Sequence, residues 1–200
     1  MIKAVIFDRH GVFDKVTEQS MREKIASYTE YKDADDVKDL LKKSRLQYDA
    51  GILKSSDFWG IVQETLKISP EQTKSCKDYL LTIQPIQELR DIIPILAKSY
   101  TLGILSDCPP DKKEIICKQY QDIKLFPYIF RSCDYSKTKS QWAEFFEIMY
   151  MYLHENDIIQ KPEQILFVDD TLSNVKQAQE LWIMACHFQN INDLKKFIHR

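Results

Sequence analysis

Four short stretches carry residues whose types and spacing could do chemistry. Asp8-Arg9-His10-Gly11-Val12 follows the apolar run Ala4 to Phe7. Ser106 closes Thr101-Leu102-Gly103-Ile104-Leu105. Lys139 lies in Ser132-Cys133-Asp134-Tyr135-Ser136-Lys137-Thr138-Lys139. Asp169-Asp170 follows Ile165 to Val168, with Asn174-Val175 just beyond. A carboxylate presented at a strand end can attack phosphorus and form an aspartyl phosphate. Phosphoryl transfer then turns on positioning and charge neutralisation. A hydroxyl (Ser106), an ammonium (Lys139) and Mg²⁺ supply these. Mg²⁺ takes a few carboxylates, waters and phosphate oxygens, and Asp8 with Asp169 or Asp170 offers the carboxylates. With no cation, three crowded carboxylates would keep a proton on one of them.

Each residue alone has an ordinary structural use. An Asp after a buried strand commonly forms a turn or cap, and a strand-end Ser commonly caps the next helix. Lys137 competes with Lys139; the distance from Ser132 and the position of Phe145 six residues on favour Lys139. Trp142, Phe145, Phe146 and the Met-Tyr run around Tyr150 read as the core face of a helix. His154, His187 and His199 are given no role. Cys76, Cys108, Cys117, Cys133 and Cys186 are odd in number, scattered and without a CxxC pair, so they read as free thiols and not as a zinc or disulfide framework.

The elements that must position these residues are legible as short apolar runs. Ala4 to Phe7, Leu102 to Leu105, Tyr128 to Phe130, Ile165 to Val168 and Met184 to Phe188 are each of strand length, with helical spacing between them. That alternation predicts an α/β chain with a parallel sheet covered on both faces. Ligands of such sheets bind beyond the carboxyl ends of the strands, where Asp8, Ser106 and Asp169-Asp170 would stand. Residues 14–84 differ. They show helical spacing with no strand-like run: Val37, Leu40-Leu41, Leu46 and Tyr48 stopping at Gly51; then Ser55-Ser56 as the expected N-cap before Phe58-Trp59, Ile61-Val62 and Leu66; then Ser69 with Pro70 at a first helical position and Tyr79-Leu80-Leu81. Helix resumes near Pro85 with Leu89, Ile92-Ile93 and Leu96, and Pro94 is expected to kink or shorten it.

Together, and in this order, the four stretches resemble the haloacid dehalogenase (HAD) superfamily, whose first motif is Asp-x-Asp-Gly followed by Thr or Val. Tyr48, Gly51, Leu53 and Phe58-Trp59 resemble its helical cap, and Ala178, Leu181 and Ile183 to Phe188 its last helix and strand. The resemblance implies a Rossmann-like core over residues 1–13 and 85–200 and a helical cap over 14–84. It implies Asp8 as nucleophile, Ser106 and Lys139 as further catalytic residues, and Mg²⁺ held by Asp8, Asp169 or Asp170 and the backbone carbonyl of His10. Its expected ligand is a small phosphorylated metabolite. Two positions depart from the pattern. Ser140 stands where Pro usually follows the Lys. His10 stands where a second Asp protonates the leaving oxygen and then activates water.

Three readings of His10 follow. Imidazole, with an unperturbed pKa near 6.5, replaces the acid/base, although Mg²⁺ and Lys139 would disfavour its cation. Alternatively the acid/base is lost, and activity falls by roughly 10²–10⁴. Or the chain is a pseudoenzyme that binds a ligand or partner. A haloacid dehalogenase needs neither a leaving-group acid nor a metal, but the Asp169-Asp170 pair would then have no purpose. A net charge of −2 in 200 residues gives no reason to expect a nucleic-acid partner. No apolar run approaches the roughly 20 residues that span a bilayer. A cytoplasmic location is expected; the oligomeric state is not readable.

Overall fold

The computed structural model describes residues 1–30, 33–119, 121–141 and 143–198. Trp142 and His199 lie outside these residues, and so does the side chain of Cys117. Five parallel strands form one sheet in the order β3-β2-β1-β4-β5: β1 (Ala4–Phe7), β2 (Thr101–Ser106), β3 (Tyr128–Arg131), β4 (Ile165–Asp169) and β5 (Met184–His187). All five lie on the apolar runs expected to form them. The register pairs Phe7 with Ile104 on one side and with Val168 on the other. At the carboxyl edge β4 therefore ends one residue, and β2 two residues, beyond the partner of Phe7.

β1 is buried on both faces, which is why its run is continuously apolar and not alternating. Ala4 and Ile6 join one core cluster with Phe145, Phe146 and Met149 of α8 (Glu144–Glu155) and Val175 and Ala178 of α9 (Leu172–Glu180). Val5 and Phe7 join a second with Leu89 and Ile93 of α5 (Gln87–Leu96) and Leu194 of α10 (Ile191–Ile198). The result is an α/β, Rossmann-like sheet with helices on both faces. Pro94 sits in the last turn of α5, which ends two residues later. Cys76, Cys108, Cys133 and Cys186 are free thiols.

Between β1 and α5 lie α1 (Glu18–Ala26), α2 (Ala34–Asp49), α3 (Ser55–Leu66) and α4 (Pro70–Leu81). They have an apolar cluster of their own, from Met21 to Leu80. In it Tyr48 stacks on Phe58, with ring centroids 4.3 Å apart. Ser69 caps α4 through a reciprocal capping box with Gln72, and Pro70 takes the first helical position. The expected cap at Ser55 is corrected. Lys54 is the N-cap of α3 and Ser55 is already helical. The Ser55 hydroxyl leaves the helix end to donate to Asp111 Oδ2 at 2.6 Å. Asp111 opens α6 (Pro110–Gln119) beside the sheet. Its other oxygen accepts from Tyr48 Oη at 2.5 Å, and Lys77 Nζ lies 3.6 Å away. One carboxylate thus gathers α2, α3 and α4 onto a helix of the sheet layer.

The two connections to this helical unit are tied together. Lys15 N donates to Gln84 O at 2.8 Å, Ile86 N to Phe13 O at 3.0 Å, and Gln84 N to Asp14 Oδ1 at 2.9 Å. Asp14 is fully buried and lies 3.5 Å from Arg9 and 3.7 Å from the equally buried Lys112 of α6. Lys112 Nζ also donates to Leu80 O and, at 3.3 Å, to Thr82 O. Burial pulls the Lys112 ammonium down to about 8 against the opposing pull of Asp14. Removing one member of such a group leaves buried polar atoms uncompensated and costs about 3–5 kcal/mol. Lys112→Met is therefore expected to lower the urea-unfolding free energy by about 3 kcal/mol. A change below about 0.5 kcal/mol would show that the ammonium contributes nothing to holding the connections.

Candidate active site

Asp8 extends β1 by one residue, its amide donating to Val168 O at 2.7 Å. The chain then turns through Arg9, His10 and Gly11, and Gly11 adopts φ +73°. A Cβ at Gly11 would lie 2.0 Å from Asp170 Oδ2. Glycine is needed there both for the left-handed backbone and to admit the Asp170 carboxylate. Asp8, Asp169 and Asp170 come together so that one carboxylate oxygen from each lies within 4.8 Å of the others. Lys139, which begins a short 3₁₀ turn, reaches between two of them. Its Nζ is 2.8 Å from Asp8 Oδ1 and 2.8 Å from Asp169 Oδ2. Lys137 pairs instead with Glu144, away from the cluster.

The two adjacent carboxylates are not equivalent. Asp169 is fully buried and largely committed, accepting from Lys139 Nζ, from Asn174 Nδ2 at 3.0 Å and from Thr171 N at 2.8 Å. Asp170 accepts only a long 3.4 Å bond from Thr171 Oγ1 among the described residues. Behind it, His187 Nε2 lies 2.9 Å from the Asp170 carbonyl oxygen. His187, to which the sequence assigns nothing, thus supports the loop that carries Asp170. His154 is exposed.

Ser106 ends β2 two residues beyond the partner of Phe7, at the same sheet edge, and is buried. Its hydroxyl makes only a 3.5 Å contact with Asp107 O among the described residues. The Asp107 side chain, overlooked in the sequence because a lone Asp after a Ser carries no signal, accepts from Lys139 N at 3.0 Å. It fixes the backbone that presents the lysine.

Electrostatics set the cluster apart. Burial raises the Asp8 carboxyl strongly, Lys139 opposes this, and Asp169 and Asp170 add to it. Burial and then Asp169 push Asp170 up to about 6. Burial would lower Lys139, yet Asp169 and Asp8 hold it well above the ordinary lysine range. Asp8 and Asp169 pair with the Lys139 ammonium and Asp170 stands beside them, a crowding of carboxylates that a divalent cation would offset. The oxygen-only donor set and the opening at Gly11 fit Mg²⁺.

His10 has the opposite surroundings. Its Nε2 is buried and has no hydrogen-bond partner among the described residues. Its pKa falls well below the usual histidine value through burial, then through Lys112, Arg9, Arg45 and Lys139. The imidazole is neutral at pH 7. Lys139 is the cation the sequence leads one to expect; Arg9 is the adjacent residue, and Lys112 and Arg45 are brought close by tertiary packing.

Comparison with known proteins places the fold. No protein-family model and no curated protein matches the chain. Solved structures do match. A predicted HAD-like hydrolase from Porphyromonas gingivalis is 19% identical, with TM-score 0.70, over 100% of this chain and 99% of that one. A HAD family enzyme from Bacteroides thetaiotaomicron, solved with magnesium and inorganic phosphate, is 19% identical, with TM-score 0.67, over 92% and 93%. The L-2-haloacid dehalogenase of Xanthobacter autotrophicus is 17% identical, with TM-score 0.61, over 98% and 82%. The chain has the HAD-like hydrolase fold. No helix among the described residues is long and apolar enough to cross a membrane.

Proposed function

We propose that this protein is a Mg²⁺-dependent phosphatase that hydrolyses a small phosphate monoester through an aspartyl phosphate at Asp8. The observation that carries this reading is the three-carboxylate cluster with Lys139 set between Asp8 and Asp169. Asp8 and the less committed Asp170 would hold the ion, with the His10 carbonyl as the resemblance suggests, and Asp169 would orient Lys139. When bound, Mg²⁺ supplies charge neutralisation at the phosphate oxygens. An Asp8 oxygen bonds to phosphorus as the bond to the ester oxygen breaks, and that oxygen leaves as the alcohol with a proton taken from solvent water; Lys139 and the Ser106 hydroxyl stabilise the charge on the phosphoryl oxygens. Water then attacks phosphorus, the bond to Asp8 breaks, and the carboxylate is restored. A neutral His10 suits the second step, accepting a proton from that water, better than the first, where a proton must be given. The helical unit α1–α4 would act as a cap that excludes bulk water. The acid pair, together with Gly11 making room for Asp170, favours this chemistry over halide displacement, which requires no metal.

The test is a phosphatase screen with Mg²⁺ on the parent, Asp8→Asn and His10→Asp chains. No turnover in any of them, together with no Mg²⁺ binding, would overturn the reading and leave a ligand- or partner-binding module. Metal binding has a readout independent of turnover. Millimolar Mg²⁺ is expected to raise the melting temperature of the parent by several degrees, since binding to the native state alone adds about 2.7 kcal/mol at 100 times Kd. In Asp170→Asn this shift is expected to vanish. An undiminished shift would place the ion elsewhere.

A further inference from the structure

α2 ends on Asp49, and Asp49 carries an oxygen that no other described residue uses. Its Oδ2 accepts from Arg45 Nε at 2.6 Å, a contact one helical turn back along α2. Its Oδ1 is buried with no hydrogen-bond partner among the described residues, and the residue as a whole is only 8% exposed. A buried acceptor without a donor costs about 1–3 kcal/mol, so a fold that keeps one invites the question of what fills it.

The position of Asp49 points to the answer. Its backbone carbonyl accepts from Ser132 Oγ at the end of β3, and Ser132 Oγ accepts in turn from Cys108 N at 2.8 Å. Two residues beyond Asp49, a Cβ on Gly51 would lie 3.1 Å from the carbonyl oxygen of Cys133. The end of α2 is thereby clamped over the tips of β2 and β3, above the edge where Asp8, Ser106 and Lys139 stand. The Asp49 carboxylate contributes to the rise of Asp107 to about 7, after burial and against Lys139. Arg45 is among the cations that depress His10. The charges of Asp49 and Arg45 thus reach Asp107 and His10, on the side of the cluster that the end of α2 overlies.

We propose that Asp49, held in place by Arg45, is a specificity-determining residue whose free Oδ1 accepts a hydrogen bond from the substrate's leaving group. This rests on the phosphatase reading. The group it selects is one bearing a hydrogen-bond donor, a hydroxyl or an ammonium, on the carbons beyond the ester oxygen. A donorless alkyl ester would leave Oδ1 buried and unpaired. A site built to pair a donor discriminates against an analogue lacking it much more strongly than an apolar pocket discriminates by size.

The test is isothermal titration of the full chain, carrying Asp8→Asn to prevent turnover, with Mg²⁺ present. The probes are inorganic phosphate, propyl phosphate, glycerol 1-phosphate and 3-aminopropyl phosphate. One hydrogen bond to a charged acceptor is worth roughly a 10- to 100-fold change in Kd. Glycerol phosphate or aminopropyl phosphate is expected to bind tighter than propyl phosphate by that factor, and the tighter of the two identifies the donor. Adding Asp49→Asn, which turns an amide N–H toward the ligand, or Asp49→Ala is expected to bring the ratio to about one. If phosphate binds but the ratio is near one with Asp49 present, or the ratio persists in both Asp49 variants, the inference is overturned and the phosphatase reading stands. If neither phosphate nor any ester binds, in this variant or in the parent chain, both fall. Should the Asp49 variants fail to fold, the ratio with Asp49 present decides.

Discussion

Asp8→Asn is expected to cut turnover of any phosphate monoester by at least about 10⁴-fold while leaving the protein as stable as before or more so. An amide oxygen is a poor nucleophile, and in the proposed reading the two neighbouring carboxylates are engaged elsewhere, Asp169 with Lys139 and Asp170 with the ion. Lys139 and Asp169 would remain, but charge neutralisation without a nucleophile gives no covalent intermediate. Stability is expected to move the other way. Asp8 shares its space with Asp169 and Asp170, and burial together with their repulsion already disfavours its charge. Asn keeps the shape and removes the charge. Relief of about 1–2 kcal/mol would raise the melting temperature of the metal-free protein by several degrees. Steady-state kinetics and thermal unfolding of the same preparation check both arms. Turnover within tenfold of the parent, in a folded protein, would remove Asp8 as the nucleophile. A lowered melting temperature would mean that the Lys139–Asp8 contact outweighs the crowding.

His10→Asp is expected to raise turnover of alkyl phosphates by about 10²–10³-fold, within the range a positioned general acid provides. Aryl phosphates should gain far less, because their leaving groups depart without a proton. The reason lies in the surroundings of His10. Burial, then Lys112, Arg9, Arg45 and Lys139, disfavours an imidazolium there; the same four cations would favour a carboxylate, while burial would oppose it. His10 therefore sits among cations that suit an acidic side chain, and its own Nε2 has no hydrogen-bond partner among the described residues. Those cations also limit the gain, since by lowering the pKa of the introduced Asp they leave less of it protonated and able to donate. The check is the ratio of rates on an alkyl and an aryl phosphate in the parent and the variant. An equal gain on both would assign the effect to something other than proton donation. A fall on both would show that His10 serves as the base and that Asp cannot replace it.

What the chain revealed before folding was considered is mostly what is local. A strand buried on both faces must be apolar throughout, so β1, β2 and β4 could be read directly, and polar residues right after such runs must lie at a sheet edge. That logic placed Asp8, Ser106 and Asp169-Asp170 together, and the distance from Ser132 chose Lys139 over Lys137. Ser69 and Pro70 marked a helix start because capping involves only the next three residues. Ser55 carried the same local signal and was misread, because Asp111, 56 residues away, competes for its hydroxyl.

Tertiary structure decided everything that depends on distant charges. Lys112 buried against Asp14, Asp107 under Lys139 and His187 behind Asp170 join residues far apart in the chain, and no spacing rule connects them; Arg45 and Asp49 are one helical turn apart, but only packing sets the pair over the strand tips. The division of labour between Asp169 and Asp170 also emerged only when their partners were counted, since adjacent residues of one type look alike in a sequence. The residue types thus determined which reaction the site could attempt. Only the packing decided that the His10 ring is neutral, because its charge depends on burial and on cations supplied by α2, α6 and the lysine turn.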